Sequence, residues 1–202
     1  MVALALVSLL SGCAQSRPEA FYNRGNAYAD KGEYDRAIQD YDHAIRLNPT
    51  FALAFNNRGV MQFDKGQFLA AAADFAKAVQ HKPTDPYFVI WLYLAQSRAG
   101  QNGRDNLAKH APGLDLKQWP GPVVSLYQGK ITLQAVLEAA LDIDPKKQRE
   151  QQCEKYFYAG QHLLIQGRKE EAVRMLRAAI DTCVAIADEY DSAKAELKRM
   201  GY

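Results

Sequence analysis

The chain has 202 residues, with 25 Lys and Arg against 23 Asp and Glu, so its formal net charge is +2. Hydrophobic residues make up 48% of it and charged residues 24%, which is typical of a globular protein long enough to bury a core. The weak positive charge argues against nucleic acid as the main partner, because phosphate binding requires clustered Lys and Arg.

The first ten residues are nearly all apolar. A membrane-spanning helix needs about 20 such residues, so this run predicts the apolar region of a secretory signal. No Lys or Arg precedes the run, and we therefore expect the true signal to begin further upstream. The alternative interpretation is a buried N-terminal strand or helix.

A short motif follows the apolar run. Leu10-Ser11-Gly12-Cys13 resembles the bacterial lipobox, in which a lipid is attached to the cysteine thiol and a peptidase cuts just before it. The resemblance implies a signal peptide at 1–12 and a tether at 13–17 that carries the lipid on Cys13. By the same resemblance, the non-acidic Ala14 implies the outer membrane.

Sequence motifs then recur at an offset of 34 residues: residues 21–25 read Phe-Tyr-Asn-Arg-Gly and residues 55–59 read Phe-Asn-Asn-Arg-Gly. The same offset relates Gly32 to Gly66, Tyr34 to Phe68, Ala37 to Ala71, Tyr41 to Phe75, Ala44 to Ala78, and Pro49 to Pro83. This period and this set of small and aromatic positions resemble the tetratricopeptide repeat. The resemblance implies an all-α, right-handed solenoid of antiparallel helix pairs.

Each recurring position has a steric reason. We expect Gly25 and Ala37 where the two helices of a repeat cross too closely for a larger side chain, and Tyr41 in the space between the helices. Gly32 is expected to end the first helix with left-handed backbone, which costs glycine little, and Pro49 to close the unit. One repeat cannot bury its apolar face alone, so neighbouring repeats must stack.

The repeat motif is clear in the first and last parts of the chain and degenerate between them. We predict two well-formed units at 18–85, a degenerate helical region at 86–150, and a C-terminal repeat with a capping helix at 151–202. In the degenerate region Tyr93 replaces the glycine of the earlier units. The last helix, at about 185–200, alternates acidic and basic residues, so we expect it to face solvent.

Four further segments are distinctive: Trp91–Leu94, Lys117–Trp119, Leu126–Gly129 and Tyr156–Gly160. Their order, together with the lipobox and the repeats, resembles the NlpI family of bacterial lipoproteins over nearly all of the mature chain. Members of that family are periplasmic adaptors that bring a processing protease to cell-wall endopeptidases, and they are often dimers. The resemblance implies such protein partners, a homodimer, and a lipid-anchored location in the bacterial envelope facing the periplasm.

In repeats of this kind the first helices line a concave groove. By resemblance, its positions hold Tyr22, Asn23, Asn26, Asn56, Asn57, Tyr87 and Trp91. Asn23 and Asn57 occupy the same position in consecutive units, and each amide carries donors and an acceptor that could hold the backbone of an extended peptide. The aromatic residues would be apolar anchors. The alternative is that the asparagines only bond to neighbouring turns, as interior polar groups must.

Two cysteines flank the last repeat. Cys153 is expected to open its first helix and Cys183 to follow its second, and antiparallel helices place both at the same end of the hairpin. An exported compartment permits disulfides, so we predict a Cys153–Cys183 bond. The alternative is two separate buried thiols.

Catalytic and cofactor motifs are not recognisable. The sequence contains no Gly-x-Ser-x-Gly elbow, phosphate loop or dinucleotide fingerprint, and its four histidines match no metal-ligand spacing. We therefore expect no enzyme activity, no cofactor and no metal. Three protein-binding interpretations stay open: the periplasmic adaptor, a subunit of an outer-membrane assembly or secretion complex, and a generic peptide-binding scaffold.

Overall fold

A computed structural model of the chain describes residues 17–139, 144–183 and 188–202. The predicted signal peptide and most of the tether, including Cys13, lie outside these residues. Within them the chain forms eleven α-helices: α1 (Pro18–Ala29), α2 (Tyr34–Leu47), α3 (Ala52–Asp64), α4 (Phe68–His81), α5 (Pro86–Arg98), α6 (Gly103–His110), α7 (Gly121–Tyr127), α8 (Leu133–Ala139), α9 (Pro145–Ile165), α10 (Lys169–Thr182) and α11 (Asp188–Arg199).

Consecutive helices pack in pairs, most extensively α1 with α2, α3 with α4, and α9 with α10. The first helices α1, α3 and α5 lie side by side, and α5 also contacts α9 across the shorter helices between them. The all-α solenoid of helix pairs predicted from the sequence is confirmed.

Glycines mark the points where paired helices cross. A Cβ atom added there would lie 2.6 Å from the Tyr41 ring at Gly25, 2.9 Å from the Phe75 ring at Gly59, and 2.8 Å from the Leu176 side chain at Gly160. These distances confirm that no larger side chain fits at Gly25. The φ angle of Gly32 is +72°, which confirms its predicted left-handed conformation after α1.

The pair α5–α6 reverses this arrangement. Tyr93 stands at the glycine position of α5, and Gly103 lies opposite it on α6, where a Cβ atom would be 2.9 Å from the Tyr93 carbonyl oxygen. The short hairpin α7–α8 follows, and Thr132 Oγ1 accepts a hydrogen bond from the Ala135 amide at 3.2 Å. Thr132 is therefore the N-cap of α8.

Trp91 is the centre of the aromatic core. Its ring centroid lies 5.2 Å from that of Phe63, 5.6 Å from that of Phe75 and 5.5 Å from that of Phe157. These rings belong to α3, α4 and α9, so the indole joins the regular repeats to the last one. Aromatic pairs at such distances stabilise a core beyond the area that they bury.

One face of the last helix is buried, although its charge pattern predicted a helix that faces solvent. Ser192 and Ala193 are fully buried and Glu196 is 1% exposed. Besides α10, helix α11 contacts the first helices α3 and α9, so it lies on the concave side of the solenoid. The charge alternation was misleading because the buried face of α11 is itself built from small and acidic residues.

Candidate partner-binding groove

The part of the concave surface formed by α1 and the first three turns of α3 is here called the open groove, because the hydrogen bonds of α11 to α3 are made further along that helix, at Phe63 and Asp64. It contains a cavity of about 380 Å³ lined by Asn26, Ala29, Asp30, Tyr41, Asn57, Val60 and Met61. The floor is apolar, because Val60 and Met61 are buried. Asp30 is the only charged residue in this lining.

A hydrogen-bond network runs along the open groove across the repeat boundary. The Asn57 amide nitrogen donates to Tyr22 Oη at 3.2 Å and to Asn26 Oδ1 at 3.0 Å. The same Asn26 oxygen accepts from Tyr41 Oη at 2.8 Å, and Asn57 Oδ1 accepts from the Asn56 amide at 3.1 Å. The Asn26 amide is therefore held with its oxygen toward the protein, and both Asn57 amide hydrogens are used.

The asparagines thus divide into two kinds. Asn56 and Asn57 satisfy groups of the protein itself, which is the alternative that the sequence left open. Asn23 is exposed, and its side-chain amide has no hydrogen-bond partner among the described residues. The same is true of the side-chain nitrogen of Asn26, whose oxygen is the atom that bonds to the protein. These two side chains keep donors for a ligand.

Five of the seven cavity residues were not among the predicted groove residues: Ala29, Asp30, Tyr41, Val60 and Met61. Tyr41 was expected only as a filler between helices, yet its hydroxyl reaches Asn26. Val60 and Met61 follow Asn57 by three and four positions on α3. That spacing places them on the same helix face and is the signal that could have identified them.

Of the three predicted aromatic anchors, Tyr22 lies in the open groove and accepts from Asn57, whereas Tyr87 and Trp91 lie outside it. Trp91 is 3% exposed, so its ring fills the interior and offers no surface to a partner. Tyr87 donates to Glu154 Oε2 at 3.0 Å, and Trp119 Nε1 donates to the same oxygen at 2.6 Å. Burial raises the pKa of both Tyr87 and Glu154, and the contact ties α5 to α9.

Cys153 and Cys183 are joined as a disulfide, with their Cα atoms 4.6 Å apart. Cys153 does not open its helix, because α9 begins at Pro145. Asp144 explains the early start: its carboxylate accepts from the amides of Lys146 at 2.8 Å and Lys147 at 3.3 Å. An N-cap of this kind satisfies amides that have no partner within the helix.

The described residues lack two other features, a metal-binding cluster and a membrane-spanning helix. They contain no group of three or more His, Cys, Asp and Glu side chains arranged to hold a metal ion. Nor do they include a helix with both the length and the apolar character needed to cross a bilayer.

Residues 18–51 match the model of the tetratricopeptide repeat, and the helix pairs extend this architecture along the chain. Repeats of this type bind other proteins or peptides, and the chain is accordingly a protein-interaction scaffold.

Three solved structures resemble the chain over most of its length. YrrB, described as a tetratricopeptide-repeat protein with an unusual peptide-binding site, is 19% identical, with 91% of this chain and 93% of that one covered and a TM-score of 0.45. The MamA RS-1 ArsTM double mutant is 19% identical, with 89% and 83% covered and a TM-score of 0.44. A MamA protein is 18% identical, with 84% and 92% covered and a TM-score of 0.45. Similarities at TM-scores below 0.5 carry no argument about function.

Proposed function

We propose that this chain is an adaptor that holds a partner protein by an extended segment lying along the open groove. The observation that carries the proposal is the fixed orientation of the Asn26 amide, whose oxygen accepts two hydrogen bonds from the protein. Its nitrogen is left to donate to a backbone carbonyl, and a donor that is already oriented loses little entropy on binding.

The neighbouring cavity indicates what side chains the segment carries. The cavity of about 380 Å³ beside Asn26, lined in part by Val60 and Met61, has room for an aliphatic side chain. Asp30 at the same cavity favours a basic residue next to it. The partner segment is therefore an extended peptide with an aliphatic residue flanked by Lys or Arg.

A bulky substitution that blocks the open groove tests this function. Asn23→Arg places a long side chain at an exposed position of α1, three residues before Asn26, and Gln80→Arg makes a matched change at an exposed position of the second helix α4. Purified wild-type and variant chains would be used to capture envelope proteins, which mass spectrometry identifies. Asn23→Arg should lose a partner that Gln80→Arg retains. Equal capture by both variants would contradict the open groove as the binding surface.

The identity of the partners rests on the resemblance to the NlpI family alone. On that basis we propose cell-wall endopeptidases and their processing protease, and recovery of these proteins in the capture experiment is the expected result. Recovery of β-barrel insertion or secretion proteins would instead favour a subunit of an outer-membrane assembly or secretion complex. Recovery of many unrelated proteins would favour a generic peptide-binding scaffold.

The lipobox motif supports the further proposal that a lipid on Cys13 anchors the chain to the outer membrane, facing the periplasm. Metabolic labelling with palmitate tests it directly. Wild-type chain should incorporate the label and sediment with outer membranes, whereas Cys13→Ala should do neither. Label in the Cys13→Ala chain, or none in the wild type, would remove the anchor from the proposal.

A further inference from the structure

Helix α11 occupies the part of the concave surface formed by α3, α5 and α9, here called the covered groove. Three side-chain pairs join it to these helices: Ser192 donates to Asp64 Oδ1 on α3 at 2.6 Å, Arg98 on α5 pairs with Glu196, and Tyr158 on α9 donates to Glu189 Oε1 at 3.0 Å. Each first helix of the covered groove thus recognises a polar group of α11.

The buried face of α11 is mostly polar. It is formed by Glu189, Ser192, Ala193, Glu196 and Leu197, at the i, i+3, i+4, i+7 and i+8 positions of a helix face. Only two of these five residues are apolar, and one of them is an alanine. By contrast, α5 buries an unbroken run of eight apolar residues at 88–95. Hydrophobic burial, the dominant force in folding, therefore contributes little to the docking of α11.

Polar contacts therefore supply much of the docking, including hydrogen bonds from Arg199 to the carbonyl oxygens of Phe63 and Asp64. Glu196 is 1% exposed. It lies between Arg98 of α5 and Arg199 of its own helix, and it pairs with both. Gln161, which is fully buried beside Arg98, has an amide nitrogen without a hydrogen-bond partner among the described residues. Buried ion pairs and unsatisfied amides select one geometry but add little net stability.

We propose that the covered groove is a second binding surface, which accepts an acidic amphipathic helix of a partner protein and which α11 closes until that helix displaces it. The residues of α11 indicate which side chains a partner helix would need in order to bind there. Two carboxylates seven residues apart meet the Tyr158 hydroxyl and the Arg98 guanidinium. Small residues between them, as at Ser192 and Ala193, allow the close approach of the helices.

The charge of the covered groove excludes other helices. The Arg98 side chain is 17% exposed and has Glu196 as its partner, so a basic or purely apolar helix would leave a half-buried cation unpaired. This surface uses none of the residues of the open groove, and the proposal does not depend on the adaptor role.

A displacement experiment tests the covered groove. The probe is a fluorescently labelled peptide of residues 188–202, and binding to the full chain is followed by anisotropy. Glu196→Lys in the chain places a cation against Arg98 and Arg199, which releases α11 and leaves the covered groove intact. This variant should bind the probe about tenfold or more tightly than wild type, whose own helix competes at high effective concentration. Lys198→Glu, an exposed position of α11, should bind like wild type.

The specificity control is the same peptide carrying Glu196→Lys, which should not bind to either chain. A folded Glu196→Lys chain that binds the probe no better than wild type would overturn the proposal, as would equal binding of both peptides. Light scattering is a further check, because a dimer formed by exchange of α11 would assign the groove to a second copy and equally overturn it.

Amide hydrogen exchange of the wild-type chain provides a measurement that does not depend on how the variant folds. If α11 opens separately, its amides should exchange at least about tenfold faster than those of α5, as expected for a local opening. Exchange of α11 and α5 at the same rate would contradict a displaceable helix.

Discussion

The regular repeats at 18–81 and the interrupted region at 86–139 hold their helix pairs together in different ways. In the regular repeats an arginine of the first helix forms two hydrogen bonds with an aspartate of the second, as Arg24 does with Asp40 and Arg58 with Asp74. One further period along the chain these positions hold Leu92 and Ala108. Both halves of the charge pair are lost together.

The helix crossing changes in the same region. Gly25 and Gly59 on first helices face large rings on second helices, whereas Tyr93 on a first helix faces Gly103 on the second. The close approach in this region is therefore made at the start of the second helix, where Gly103 meets Tyr93, whereas the position equivalent to Phe75 holds Lys109. The arginine is dispensable on α5, because this helix is surrounded by apolar neighbours and Leu92 is 2% exposed.

The two regions also differ in what covers their concave side. The open groove lies on the regular repeats, and α11 covers the surface that includes α5. The regular repeats expose polar donors, while the interrupted region requires other elements, α11 and the disulfide-linked last pair, to bury its first helix. The predictions below test this difference from the largest expected effect to the smallest.

Loss of the disulfide should have the largest effect. Cys153 and Cys183 are 30 residues apart, and loop closure over that length stabilises by roughly 3 to 4 kcal/mol. The double variant Cys153→Ala, Cys183→Ala should lose this amount in urea denaturation, and a reducing agent should have the same effect on wild type only. Hydrogen exchange should locate the loss in α9–α11. An equal loss in α1–α4 would show that the two regions are not separate in stability.

The charge pairs of the regular repeats should differ in strength. The Arg58 side chain is 19% exposed and faces Asp74, which is 7% exposed, whereas the Arg24 side chain is 57% exposed. Asp40 is as buried as Asp74, so the difference lies in the cation: Arg58→Ala removes a largely buried guanidinium that pairs with both Asp74 and Asp42, and it should cost about 2 to 3 kcal/mol. Arg24→Ala should cost about 1 kcal/mol or less, because water reaches that site. Thermal denaturation compares the two, and equal losses would contradict the role of burial.

The exchanged glycine can be tested directly. A methyl group at Gly59 would press on the Phe75 ring, and one at Gly103 on the Tyr93 carbonyl. Gly59→Ala and Gly103→Ala should each lose about 1 to 2 kcal/mol, since overpacking exceeds the gain in helix propensity. Gly113→Ala, with no atom within 4 Å of the new group, is the control and should change stability by less than about 0.5 kcal/mol. A neutral Gly103→Ala would show that only the regular crossing is tight.

The smallest effect concerns pH and lies at the edge of the interrupted region. Burial, and then the nearby Arg168 and Arg104, lower the pKa of His162 from its ordinary value of 6.5. The unfolded chain therefore binds this proton more readily, so the contribution of His162 is present above pH 6.5 and is lost as the pH falls through the lower folded pKa. Between neutral and mildly acidic pH the melting temperature should drop less for His162→Gln than for wild type, and equal drops would contradict this contribution of His162.

Much of the fold could be predicted because its signals are local or periodic. The 34-residue offset located the regular helix pairs, and the steric role of Gly25 follows from a crossing that every such pair must make. The Thr132 cap and the short helix at 103–110 were also predictable, since caps and turns depend on a few neighbouring residues. The candidate groove could be predicted only in part, because Asn26 was identified but the bonding of Asn57 was not.

Only the tertiary structure decided the contacts between residues that lie far apart in the chain. Trp91 occupies a groove position by repeat register, yet the rings of Phe63 and Phe157 enclose it. Ser192 meets Asp64 across 128 residues, and no local pattern specifies that pairing. The sequence by itself determined the repeat unit, because each unit needs the same small, large and turn residues to form. Only the folded chain decided which part of the concave surface stays open, because that depends on where the last helix finds partners for its buried carboxylates.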